Sequence, residues 1–316
     1  MAMANPNPIF SHLWKFTTSL LFLFFLASTS HPRHAYAAPI IRRQGDAITA
    51  LSTTEIAAFR PFTNYASSAY CPAAKLRTWS CGRNCLANPA FQPVAAGGDG
   101  NDIQFWFVGI DPTLKTVVVA HQGTDPKKIM PILTDIDFIL DELDPKLFPG
   151  LPKGIKVHNG FGKAHAETSS DVLAAVKSAL SQSGLNQVTV VGHSLGGAIA
   201  LLNGVFLPLN LPDVSVRTVT YGMPRVGNKA FAKYVDANVS IDRVVNREDI
   251  VPILPGRFLG FRHPGGEKHI QDDLSWVLCP GGDNTDKWCS VGDARNVFDA
   301  SVKDHSGPYD TITMGC

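Results

Sequence analysis

VTVVGHSLGG, residues 188–197, decides how the rest of the chain is read. Four apolar or β-branched residues, Val188 to Val191, run into a serine set between glycines. Gly192-His193-Ser194-Leu195-Gly196 fits G-x-S-x-G, and Gly197 leads into the helical stretch AIALLNGVFL. A short apolar run without polar alternation is a strand covered on both faces. A strand that breaks into a helix through G-x-S-x-G has the form of a nucleophile elbow. Glycine–serine turns are common, so the motif alone carries little weight; the strand before it and the helix after it supply the specificity. In such a turn the Ser194 hydroxyl is presented for attack, with the Leu195 amide at the helix N-terminus, where positive partial charge can stabilise an oxyanion.

A serine hydroxyl at neutral pH needs a base, and the base needs an acid to fix its tautomer. After an elbow of this kind the order along the chain is Ser, then Asp or Glu, then His. The stretch NREDIVP follows the strand IDRVVN and offers Asp249, with Glu248 as reserve; Asp242 opens that strand, at the wrong end of the sheet, and is expected to be a solvated charge. Downstream lie His263, His269 and His305. His305, in DHSGPYD, has enough chain before it to return over the sheet edge and is preferred; His263, in FRHPGGE, is the rival on order alone. His193 is given no chemistry.

The surrounding pattern predicts a single α/β domain with a mostly parallel central sheet flanked by helices. Ser52-Thr53-Thr54-Glu55 has the form of a capping box and opens an amphipathic segment toward Tyr70, with Pro61 inside it. IQFWFVGID and KTVVVAHQG, separated by Asp111-Pro112, form a hairpin. A helix is predicted over Ser169 to Ser183, then strand, helix and strand in VSVRTVTYG, VGNKAFAKYVDAN and IDRVVN. From Ile250 onward the chain is loops and turns with one terminal helix.

The 28 basic residues nearly balance the 27 acidic ones and form no run, so nucleic acid is excluded as a partner. Residues 1–37 read as a secretory signal peptide. Its basic start is Lys15, its apolar core runs from Leu20 to Ala27, and the small-residue site is Ala35-Tyr36-Ala37. That core is short of the roughly 20 residues of a membrane span, so no stable span remains once it is removed. Lys15 and Arg33 are its only charged groups, and losing them takes the formal charge from +1 to −1. A short pro-segment could extend to the dibasic Arg42-Arg43, leaving a domain over 44–316.

Six cysteines in an exported chain point to disulfides and allow fifteen pairings. Short-range closure favours Cys81–Cys85 and Cys279–Cys289, which leaves Cys71 for Cys316. No C-x-x-C or paired-histidine spacing calls for a metal. Asn238-Val239-Ser240 is the only glycosylation sequon.

Taken together, VVVAHQGTD, VHNGF, VTVVGHSLGGA, VTYGMPRVGN, NREDIVPILP, HPGGE and the closing DH with Tyr309 resemble the fungal class 3 lipases, secreted α/β-hydrolases, in family order from about Tyr70 to the C-terminus. The resemblance implies a catalytic triad of Ser194, Asp249 and His305. It implies an oxyanion hole from Thr124 and Leu195, and a similar cysteine pattern. Two departures stand out: His121-Gln122 replaces the family's usual Phe-Arg, and Asp310 replaces an apolar residue. The resemblance also places a mobile lid at DPKKIMPILTD, with Ile129, Met130, Ile132 and Leu133 as its apolar members. It implies a secreted, extracellular, monomeric triacylglycerol lipase, without cofactor or metal, working on ester lipid at an oil–water interface. A feruloyl or other plant-wall carboxylesterase is the alternative within the fold, and a non-catalytic lipid-binding relative the alternative outside enzymes.

Overall fold

The computed structural model describes residues 47–125, 128–129, 137–298 and 300–316. The leader, Met130, Ile132 and Leu133 lie outside the described residues. The described chain belongs to one compact unit, Arg42–Cys316. Among the described residues no helix is long and apolar enough to cross a membrane.

Among the described residues, nine strands form the main sheet. Their spatial order is β1 (Thr49–Ala50), β13 (Trp276–Cys279), β12 (Glu267–Ile270), β10 (Ser240–Asn246), β8 (Ser215–Tyr221), β7 (Gln187–His193), β4 (Thr116–His121), β3 (Trp106–Asp111) and β2 (Gln92–Gly97). The middle of the sheet, from β12 through β10, β8 and β7 to β4, is parallel. Its two edges turn antiparallel. A second, four-stranded sheet holds β11 (Phe261–Arg262), β9 (Gly227–Asn228), β6 (Lys156–His158) and β5 (Leu140–Glu142).

Alternate residues of the central strands divide between two cores. Val117, Val119, Val188 and Val190 pack with residues of the helices Asn159–Ser183 and Leu195–Asn210. Val118, Ala120 and Val191 face the other way, toward the helix Arg60–Ser68. Two covered faces explain why these strands carry apolar residues without alternation. Because the middle strands are parallel, the C-terminal ends of β4, β7, β8 and β10 share one rim, where loops can collect functional groups from distant sequence.

The capping box forms: Glu55 N donates to Ser52 Oγ at 3.3 Å and Ser52 N to Glu55 Oε2 at 2.8 Å. The segment it opens is split into Thr53–Ala57 and Arg60–Ser68, with Pro61 in the first turn of the second helix, the place that tolerates a missing N–H. The hairpin of β3 and β4 is as expected. Two features differ from expectation. The helix Asn159–Ser183 begins ten residues earlier than its apolar periodicity shows. Its first turn is capped by the His158 ring, which accepts from Gly160 N at 3.1 Å, and buried Phe161 and His165 fix the glycine-containing part. Beyond Ile250, β12 and β13 extend the main sheet, while the helical elements among the described residues are short: the 3-10 turns Val251–Ile253 and Arg257–Leu259 and the four-residue helices Ser290–Asp293 and Lys303–Ser306. Four-residue strands are too short to show a period.

The three disulfides are Cys71–Cys316, Cys81–Cys85 and Cys279–Cys289. The first joins a string of contacts between the helix Arg60–Ser68 and the C-terminal tail. Arg60 Nε meets Asp310 Oδ2 at 2.8 Å, and Ser67 Oγ donates to the Gly315 carbonyl at 2.8 Å. Asp310 thus replaces an apolar contact with an ion pair.

Beneath the rim, Asn203 bridges two buried histidines. Its Nδ2 donates to His121 Nε2 at 2.8 Å, and its Oδ1 lies 3.3 Å from His165 Nε2. Burial pushes His121 down to about 3, with His165 adding to the shift, and burial likewise pushes His165 down to about 4.

Two outcomes are expected. Replacing Cys71 and Cys316 together by serine should lower unfolding free energy by about 2–5 kcal/mol in urea titration, and more than the same change at Cys81–Cys85, whose loop is short. Buried neutral histidines bind fewer protons folded than unfolded, so their stability contribution is present above the ordinary value of 6.5 and is lost as pH falls toward 4. Urea midpoints should therefore drop between pH 7 and pH 4.5, and His165→Gln should flatten that slope, each histidine contributing up to about 1.4 kcal/mol per pH unit.

Candidate active site

Ser194 sits between β7 and the helix Leu195–Asn210 with φ +59° and ψ −128°. A positive φ in a non-glycine residue is strained, and the surroundings must hold it. Backbone on backbone contact does so. A Cβ on Gly192 would stand 2.1 Å from the Gly196 carbonyl oxygen, and one on Gly196 would stand 2.2 Å from the His121 carbonyl oxygen. Only hydrogen fits at both positions, which is why the motif needs both glycines. Ser194 N donates to the Tyr221 carbonyl at 2.9 Å, tying the elbow to β8. The residue is 5% exposed. Leu195 is half-buried and opens the helix at its N-terminus, where the leading N–H groups of an α-helix lack intrahelical acceptors.

Asp249 and His305 meet. His305 Nδ1 lies 2.9 Å from Asp249 Oδ1 and 2.9 Å from Oδ2, with both side chains buried. A carboxylate accepts, so the proton sits on Nδ1 and leaves Nε2 as the basic nitrogen. His305 Nε2 is buried and has no partner among the described residues. Burial pushes Asp249 above the usual carboxylate range, an effect that His305 and the Val251 N–H partly offset.

Four further contacts fix this pair. Val251 N donates to Asp249 Oδ1 at 2.9 Å, and Asn246 Nδ2 to the Asp304 carbonyl at 2.8 Å. The acid loop and the base loop form a parallel bridge at Asp249 and Ser301, with Ser301 N donating to the Glu248 carbonyl at 2.7 Å. Tyr309 Oη donates to the His305 carbonyl at 3.0 Å. Gly222, at φ +51°, lies against the pair: a Cβ there would stand 2.8 Å from Asp249 Oδ2 and 2.9 Å from His305 Nδ1.

The other sequence candidates fall elsewhere. His263 is buried with Nε2 2.8 Å from the Pro252 carbonyl, and its main-chain N–H donates to Asp283 Oδ2 at 3.0 Å. His269 engages the carbonyls of Trp288 and Arg247. Glu248 is exposed. Asp242 is not a solvated charge but an ion-pair centre, held by Arg217 at 2.7 Å and by Lys268. Arg225 is a positioning residue that sequence reasoning missed. It is buried, pairs with Asp283 at 2.7 Å and donates to the carbonyls of Ile253 and Pro255, clamping the loop that follows Asp249. Its place in GMPRVGN between strand and helix was the available signal.

Thr124 is half-buried, directly after Gly123, where a Cβ would stand 3.0 Å from Ser194 Cβ. The loop that carries it is pinned to Phe105 twice: Gln122 N donates to the Phe105 carbonyl at 2.8 Å, and Phe105 N to Gln122 Oε1 at 2.8 Å. The amide of Gln122 therefore does the anchoring that the family's usual arginine position led one to expect of a charge. Ile129 is buried in a small cluster with Ile250, Val251, Ile253 and Ala294, directly over the segment following Asp249. The described residues that could group around a metal are Glu267, Cys279 and Cys289, and both cysteines are tied up in their disulfide.

Residues 118–259 match the family model described as Lipase (class 3). A secreted mono- and diacylglycerol lipase of Malassezia globosa is 36% identical over 203 residues, covering 63% of this chain and 65% of that relative. The chain thus spans just under two thirds of that relative's length. A solved triacylglycerol lipase, described as having a serine protease triad as its catalytic centre, has a TM-score of 0.73 at 29% identity, over 85% of this chain and 98% of that one. A lipase of Rhizopus niveus is 31% identical over 286 residues, covering 86% of this chain and 68% of that enzyme. That likeness runs through most of both sequences and does not stop at the elbow, and so the chain belongs to the fungal class 3 lipase family, with its α/β-hydrolase fold.

Proposed function

We propose that this protein is a secreted serine hydrolase that cleaves the carboxylic esters of acylglycerols, with triacylglycerol as the reference substrate. The observation that carries the reading is the buried His305 imidazole, gripped on Nδ1 by both oxygens of Asp249 and bare at Nε2, on the rim from which Ser194 rises. In this reading His305 takes the Ser194 proton as the hydroxyl attacks the ester carbonyl, and Asp249 stabilises the imidazolium that forms. The oxyanion is met by the amides of Leu195 and Thr124 and by the Thr124 hydroxyl. His305 then protonates the leaving glycerol oxygen, and water repeats the sequence on the acyl-enzyme to release the fatty acid. No metal or organic cofactor has a part in these steps.

The relatives named as secreted mono- and diacylglycerol lipases support both the substrate class and an extracellular place of action. In line with that place, residues 1–37 serve as the export signal, any pro-segment ends by residue 43, and the working domain covers 44–316. Asn238 is exposed at the end of the helix Lys229–Asn238, and so accessible as a glycan acceptor. Ile129 rests on the acid-loop cluster and anchors one end of a lid whose other apolar members are Met130, Ile132 and Leu133. Opening that lid at an oil–water interface exposes the rim to substrate. The enzyme acts as a monomer.

Hydrolysis of tributyrin and olive-oil emulsions, compared with methyl ferulate, tests the substrate class; preference for the ferulate would overturn it. Ser194→Ala should abolish nearly all turnover and covalent labelling by a fluorophosphonate, and His305→Ala should lower kcat about as far. Asp249→Asn should leave more residual rate. Gly222→Ala should reduce kcat at least about a hundredfold, because the added methyl displaces the Asp249–His305 pair by the ångström or so that misaligns a reacting group; unchanged kcat in folded protein would contradict this geometry.

A further inference from the structure

His193, the residue before the nucleophile, is fully buried, and none of the steps above uses it. Both its ring nitrogens are engaged. Nε2 lies 2.7 Å from the main-chain carbonyl oxygen of His305, and Nδ1 lies 2.6 Å from Tyr70 Oη. A carbonyl oxygen only accepts, so the ring proton is on Nε2, and the bare Nδ1 accepts the phenol proton. Burial, with His305 alongside, holds the His193 ring neutral well below the usual histidine range, and burial pushes the Tyr70 hydroxyl up so that it keeps its proton.

The chain of contacts continues on the far side. Tyr70 Oη packs so close to Gly123 that a Cβ there would stand 2.2 Å from it and 2.4 Å from the His193 carbonyl oxygen. Gly123 packs against Tyr70, Tyr70 donates to His193, and His193 to the His305 carbonyl. The His193 ring also lies over the His305 ring, with centroids 4.4 Å apart.

We propose that His193 is a positioning residue which, with Tyr70, couples the oxyanion loop to the base across Ser194. This rests on the roles proposed above for Ser194, Thr124 and His305. Thr124 and His305 serve the same tetrahedral intermediate yet arrive on segments far apart in sequence. A misplacement of about 1 Å between such groups costs about a hundredfold in rate. A chain of neutral donors fixes their separation without adding a charge beside the imidazolium that forms on His305.

Tyr70→Phe removes one oxygen and keeps the ring. With soluble p-nitrophenyl butyrate its kcat should fall roughly tenfold, the order of one lost buried hydrogen bond, with KM and Tm close to wild type. His193→Gln keeps an N–H able to reach the His305 carbonyl and should retain several times the kcat of His193→Leu, which keeps none. Unchanged kcat in Tyr70→Phe, or equal loss in the two His193 variants, would overturn the proposal. So would losses that only track Tm. Histidine 15N NMR of the wild-type protein gives a readout independent of turnover. His193 should show the neutral form protonated on Nε2 at pH 6, and protonation on Nδ1 would sink the idea. Fluorophosphonate labelling of wild-type Ser194 separates the two levels, since its absence would remove the hydrolase reading while leaving the NMR result to judge the hydrogen-bond chain.

Discussion

A carboxylate taken out of water and left to one imidazole is the constraint around which this molecule is organised. Asp249 is 1% exposed and His305 fully buried, and an unpartnered charge in that position would cost several kcal/mol. The pair is tolerable because each partner answers the other and because neighbouring backbone groups leave little freedom. The bridge between Asp249 and Ser301 and the bond from Asn246 to the Asp304 carbonyl hold two loops that share no sheet strand. Arg225, buried with Asp283, keeps the segment beyond Asp249 from drifting. Stability and chemistry are therefore hard to separate here: the same bonds that make burial bearable aim the imidazole.

The parallel sheet supplies the second requirement, convergence. β4, β7, β8 and β10 end on one rim, so Gly123, Ser194, Gly222 and Asp249 are brought together with few long loops. His305 alone has to come from outside this set. The helix Arg60–Ser68 makes its approach reproducible by binding the tail at Asp310 and Gly315 and, just past its end, at Cys316.

The elbow, the covered strands and the order Ser194, Asp249, His305 were legible in the sequence because each leaves a local mark: apolar runs without alternation, glycines at fixed offsets, and a strand before an acidic residue. The choice between His305 and His263 was not decided by order. The structure separates the two by contact: His305 meets Asp249, whereas His263 spends its Nε2 on Pro252. Nor could sequence show that Asp242 is half-buried between Arg217 and Lys268, because cross-strand pairing depends on register. The short strands β12 and β13 and the early start of the helix Asn159–Ser183 escaped for a related reason. Four residues carry no period, and glycines at 160 and 162 mask a helix that packing and a histidine cap sustain.

Gln122 carries one more implication. Where a guanidinium would fasten the loop ahead of Thr124 through Coulomb attraction, this chain fastens it with an uncharged amide paired to the main chain of Phe105. Ions in the medium screen the first kind of fastening and hardly touch the second. The strand end ahead of Thr124 is thus insulated from brine and from fresh water alike.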